Sequence, residues 1–115
     1  SDRRIPKSTQ DELWSEFCEL IVRLRTPDQV RRFFSDLLNR SERLMIARRL
    51  HVAALLKLGF SYRDIKRMMG TGSVTIARVH RWLEFGRGGY VSAIRQLRDK
   101  APERFAKKLT RYYRK

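Results

Sequence analysis

The stretch from Ser41 to Leu58, SERLMIARRLHVAALLKL, limits the fold more than any other segment. Leu44, Ile46, Ala47, Leu50, Val52, Ala53, Ala54, Leu55, Leu56 and Leu58 leave little polar surface on the helix it forms. Ser41 is the expected cap, and Gly59 supplies a left-handed stop. A helix that is apolar around most of its circumference has to be covered on most sides. The chain has 115 residues, room for one domain. A body of that size has difficulty surrounding such a helix alone, so a second subunit is expected to help. The fold class is therefore all-α, with a homodimer expected.

The flanking sequence reads as further helices. Residues 1–7 form a basic arm carrying Arg3, Arg4 and Lys7. Ser8 or Thr9 then caps a first helix, with Asp11 and Glu12 near its positive end and Leu13, Phe17, Leu20, Ile21 and Leu24 at helical spacing. Thr26-Pro27 restarts the chain, and Val30, Phe33, Phe34, Leu37 and Leu38 form the apolar side of a second helix. Asn39 and Arg40 break it before the central helix. Beyond Gly59, Ser61 with Asp64 three residues on starts a short helix through Met69. Gly70-Thr71-Gly72 is a tight turn, and a further helix runs from Ser73 to Phe85. Gly86, Gly88 and Gly89 punctuate, and Tyr90, Val91, Ile94 and Leu97 mark a last short helix. From Arg98 the chain is a basic, conditionally helical tail. The expected organisation is an arm over 1–7, a helical domain over 8–97 with a helix-turn-helix at 61–85, and a tail over 98–115.

Charge narrows the partners. Lys and Arg number 27 against 12 Asp and Glu, a formal +15. Residues 1–58 hold 12 basic and 8 acidic side chains, whereas residues 59–115 hold 15 and 4. A basic half on a folded domain favours a polyanion, since each phosphate contact releases condensed counterions. Cys18 is the single cysteine, so no intrachain disulfide and no cysteine metal site is expected. No run of about 18 apolar residues occurs, and no membrane partner is expected. A paired His and carboxylate, a phosphate-binding glycine loop and a metal cluster are all missing from the pattern, so no enzyme activity is expected.

Two short helices joined by a glycine-bearing turn are the mark of a helix-turn-helix, whose second helix enters the major groove of DNA. The start of that helix has to present short side chains to base edges, which Ser73, Val74, Thr75 and Ala77 do, and Gly72 of the turn joins them in the expected DNA-binding set. Ser and Thr hydroxyls bond several bases, and Val or Thr methyls touch the thymine methyl. Arg63, Lys66, Arg67 and Arg81 suit phosphates, where they fix position without reading sequence. Arg78 suits either a base or a phosphate, and His80 completes the expected set. The bland alternative is an αα-hairpin with a solvated basic face.

The segments ARRLHVAALL, GFSYRDIKRMMGTGSVTIARV and RWLEFGRGGY resemble the tryptophan-repressor-like superfamily, and within it the YerC/YecD-type branch. The resemblance runs from Asp11 to Leu97, more loosely before Ser41. It implies an intertwined helical homodimer with two recognition helices in successive major grooves of a palindromic operator. In the tryptophan repressor two arginines sandwich the corepressor indole, and Arg48 and Arg78 fall on those positions. Val79 and Trp82 stand where that repressor has a glycine and a serine, and their bulk opposes a tryptophan-like corepressor. No cofactor is expected.

The expected function is sequence-specific binding of double-stranded DNA by a homodimeric transcriptional regulator of the repressor type, cytoplasmic and nucleoid-associated. The competing reading is a nonspecific nucleic-acid-binding or chromosome-architecture protein that uses the same surface.

Overall fold

The computed structural model describes residues 4–100, and side chains as far as Leu97. Six helices follow one another: α1 (Lys7–Arg23), α2 (Pro27–Leu37), α3 (Arg40–Lys57), α4 (Tyr62–Met69), α5 (Ser73–Phe85) and α6 (Gly89–Lys100). No strand occurs among the described residues. The chain divides into two compact units, residues 1–43 and 44–115, with the boundary inside α3.

In the first unit the helix starts differ from expectation. Lys7 belongs to α1 rather than to the arm, and Pro6 is the N-cap. Proline there presets an extended entry (φ −55°, ψ 149°), and its carbonyl accepts the Gln10 amide at 3.0 Å. Ser8 and Thr9 therefore lie inside the helix, and Asp11 and Glu12 fall beyond its first turn. At α2, Thr26 is the cap ahead of Pro27, as the sequence suggests, and Gln29 completes a reciprocal capping box with it. At α3 the cap is Asn39, not Ser41. The Glu42 amide donates to Asn39 Oδ1 at 2.9 Å, and Glu42 Oε1 accepts from the Asn39 amide at 2.9 Å. That pair satisfies two amides at once, which moves the helix start one residue ahead of Ser41. Arg43 donates to the Leu38 carbonyl at 2.7 Å and so serves the open end of α2.

Four aromatic rings give this unit its packing. Trp14 stacks on Phe17 at 5.3 Å between centroids, while Phe33 and Phe34 meet edge to face at 5.4 Å. Yet no described residue of the unit is fully buried. Trp14 is 65% exposed and Val22 82%.

The second unit holds the core. Val52, Ala53, Ala54 and Leu55 of α3 pack with Ile65 of α4, Ile76 and Val79 of α5 and Ile94 of α6. Each large aliphatic side chain here contributes roughly 1.5–3 kcal/mol by leaving water. The carboxyl end of α3 closes in a Schellman motif: Phe60 N–H donates to the Leu55 carbonyl at 3.1 Å, and Gly59 N–H to Leu56 at 3.0 Å. Gly59 takes the left-handed conformation (φ 91°) this closure needs, and Phe60 packs back on the core. The front of α3 is less covered than the sequence suggests, for Leu44, Met45 and Ile46 are each about half exposed.

Candidate nucleic-acid interface

The corner between α4 and α5 sets up the site. Ser61 caps α4 by accepting the Asp64 amide at 3.1 Å. Gly70 ends α4 in the left-handed region (φ 65°), its N–H donating to the Lys66 carbonyl at 2.9 Å. A side chain at that φ would strain the turn by about 1–2 kcal/mol, which is why glycine sits there. Thr71 is buried, and Gly72 turns the chain into α5. Gly72 has an ordinary extended conformation and open space where a Cβ would be, so neither backbone nor packing requires glycine at that position.

The start of α5 carries neither a side-chain cap nor an acidic residue in its first turn. Its leading amides and the positive end of its dipole are left for solvent or for an anion. Ile76 and Val79 point into the core with half-buried Leu83 beside them, one stripe at spacings of three and four. The opposite stripe is Val74, Ala77, Arg78 and Arg81, all exposed. Burial of one face thus fixes which side chains the helix presents outward.

The expected site residues fall into three groups. Gly72, Ser73, Val74, Ala77, Arg78 and Arg81 are exposed along the front of α5. Arg63, Lys66 and Arg67 are exposed on α4, with Arg67 lying 3.5 Å from the Asp64 carboxylate in a solvent-exposed pair. Thr75 and His80 stand apart. Thr75 is half-buried. His80 has both ring nitrogens engaged: Nδ1 shares a 2.6 Å hydrogen bond with the Tyr62 hydroxyl, and Nε2 lies 2.9 Å from Glu84 Oε1. His80 is therefore a brace that ties the start of α4 to the middle of α5. Tyr62 was not visible as part of the site, because the 18 residues separating it from His80 carry no local spacing signal. Glu84, four residues from His80 on one helix, was the legible half of that brace.

The two arginines that the resemblance assigned to a ligand, Arg48 and Arg78, are both exposed. An open groove of about 760 Å³ lies elsewhere in the second unit, between Ile46, Arg49 and Leu50 on one side and Trp82, Phe85 and Tyr90 on the other. Neither Arg48 nor Arg78 lines it. Burial raises the Tyr90 phenol above its usual range, opposed by the nearby Arg49 charge. Among the described residues, no group of three or more His, Cys, Asp or Glu side chains could hold a metal ion. No described helix is long and apolar enough to cross a membrane.

Comparison with known proteins bears on this geometry. Residues 12–98 match the Trp repressor protein family. The chain is 33% identical over 87 residues to the uncharacterized protein YerC of Bacillus subtilis, an alignment covering 76% of this chain and 84% of that one. A TrpR-like protein from Eubacterium eligens superposes with a TM-score of 0.71 at 30% identity, covering 75% of this chain and 89% of that one. A putative Trp repressor from Staphylococcus aureus superposes with a TM-score of 0.68 at 28% identity, covering 84% and 93%. The six-helix order, the glycine corner and a match spanning most of the sequence place this chain in the Trp repressor family.

Proposed function

We propose that this protein is a sequence-specific DNA-binding transcriptional regulator that inserts the start of α5 into the major groove. The observation that carries the reading is the outward stripe Val74, Ala77, Arg78 and Arg81, held by burial of Ile76 and Val79 and flanked by Arg63, Lys66 and Arg67. Short side chains at the front suit base edges, and the cations around them suit the two phosphate backbones. Family membership supports a regulator rather than a catalyst.

Two further parts of the reading concern assembly and regulation. The protein acts as a homodimer, supported by the half-exposed Leu44, Met45 and Ile46 on α3 and by Trp14 and Leu20 on α1. Exposed apolar area of this kind, present in each unit, favours burial against a partner. Two heads related by a two-fold axis read half-sites about one helical turn apart, roughly 10 base pairs. No tryptophan-like corepressor is needed, a reading supported by Val79, a branched side chain buried in the core where the tryptophan repressor has a glycine. Adding tryptophan should leave DNA affinity unchanged, and a tenfold rise would refute this part.

Selection from a random duplex pool, followed by affinities for the winner and a scrambled duplex at one stated salt concentration, tests the function. A regulator favours the selected duplex by about 10³-fold or more. Equal affinity for both would replace this reading with nonspecific binding, to which the basic half of the chain already lends itself.

A further inference from the structure

Val74 is the anomaly at the leading end of the outward face of α5. It is a β-branched apolar side chain, 73% exposed, in the first turn of the helix, among a serine, an alanine and arginines. It takes no part in the core, to which the same helix contributes Ile76 and Val79. Ala77 follows three residues on, so the two put a small apolar patch on the leading end of the stripe. Arg78 and Arg81 follow behind it at positions four and seven.

What this stripe lacks is as informative. It carries no Asn or Gln to bond adenine bidentately and no Asp or Glu to accept from cytosine. Thr75, whose hydroxyl is the obvious polar reader by type, is half-buried. Arg78 is the one side chain of the stripe's front half able to bond a base, and guanine is the base it suits. Beside the exposed Ser73 hydroxyl, which bonds several bases without choosing among them, the leading end therefore offers the major groove apolar surface. In that groove, the apolar feature that distinguishes one base edge from another is the methyl at C5 of a pyrimidine.

We propose that Val74, backed by Ala77, reads the 5-methyl group of a pyrimidine in each half-site, and is the principal determinant of base preference at that position. The inference rests on the regulator reading and names the chemistry by which that same face discriminates. Thymine and 5-methylcytosine carry the same methyl at the same place, so both are sources of the feature and the test separates them.

The experiment measures affinities on the selected duplex with each thymine of one half-site replaced in turn by uracil, which removes the methyl and nothing else. Burying one methyl is worth about fourfold in affinity. One position per half-site should therefore weaken roughly fourfold with wild-type protein, and Val74→Ala should bind the thymine and uracil duplexes equally. Val74 is exposed and alanine is the better helix former, so the variant folds. If no uracil substitution matters, 5-methylation of each half-site cytosine follows. A fourfold gain that Val74→Ala abolishes assigns methylcytosine as the source. If both series are silent while the protein still prefers its selected sequence, the methyl reading is overturned and the regulator reading stands. Discrimination that persists in Val74→Ala also overturns it. If the pool yields no preferred sequence at all, the regulator reading fails, and Val74 with it.

Discussion

Gly72→Asp should make the protein more stable and a poorer DNA binder at the same time. Gly72 is the N-cap of α5, with φ −71° and ψ 157°, and nothing lies within 4 Å of where its Cβ would be. Aspartate fits that conformation and can accept a first-turn amide. Replacing glycine by a true cap contributes a few tenths of a kcal/mol. Lowering the entropy of the unfolded chain adds about 0.4–1 kcal/mol, and a carboxylate at the positive helix end about 0.3–1 kcal/mol. Together these are about 1 kcal/mol or slightly more, a rise in Tm of roughly 4 °C. On the proposed docking the uncapped amides that begin α5 also bind a backbone phosphate, and the carboxylate takes that place in the complex. Forfeiting that interaction alone, about 1 kcal/mol, weakens each head roughly fivefold. Gly72→Ser separates the two effects, since it caps without charge. It should keep most of the stabilisation and bind within about twofold of wild type. Thermal melts and fluorescence anisotropy on one labelled duplex read both quantities. The reasoning is refuted if Gly72→Asp binds as well as wild type, or if Gly72→Ser loses as much as Gly72→Asp.

Other perturbations probe the remaining parts. Lys66→Ala should weaken cognate and scrambled duplexes alike and flatten the log–log salt slope by about one unit per head; loss confined to the cognate duplex would make Lys66 a base reader. Tyr62→Phe removes the hydroxyl that bonds His80 and should lower stability by about 1 kcal/mol in urea titration; an unchanged midpoint would deny the brace. Ile46→Asp places a charge on the half-exposed front of α3 and should shift light-scattering mass to that of one chain without loss of helicity; an unchanged dimer would remove this surface from the interface. Burial lowers the His51 pKa, so the folded state holds fewer protons on that ring than the unfolded chain. Stability from that group is present at neutral pH and is lost as pH falls below about 6.5 towards the lowered folded value. Urea midpoints at pH 7.5 and 5.5 should differ less in His51→Gln than in wild type, and an equal difference would assign the pH dependence elsewhere.

Much of the fold is legible because its signals are local. Thr26-Pro27, Ser61, Gly70 and Gly59 each act within one turn of themselves, so the extents of α4 and α5 follow from the sequence directly. The starts of α1 and α3 were less legible because at each an upstream residue competes with the expected cap. Pro6 precedes Ser8, and Asn39 precedes Ser41, and in each case the upstream residue wins. For α3 the Glu42 side chain reaches back to the Asn39 amide and decides the matter, a contact that composition does not reveal. Within the site, the residue types and their positions on α4 and α5 were readable. Two things were not. Separating Val74 from Thr75 as the more exposed neighbour requires knowing which stripe the core takes up. Recognising His80 as a brace requires Tyr62, which only the folded corner brings near. The groove lined by Arg49 was likewise out of reach, since it needs the folded contact of α3 with the end of α5 and the start of α6.

The most direct trial of the central claim is a titration of isotope-labelled protein with its selected duplex, followed amide by amide in heteronuclear NMR spectra. The largest shifts are expected at 72–78, with smaller ones across 61–67 and little change over 13–23. Shifts that leave 72–78 untouched while the duplex is bound elsewhere on the chain would contradict it.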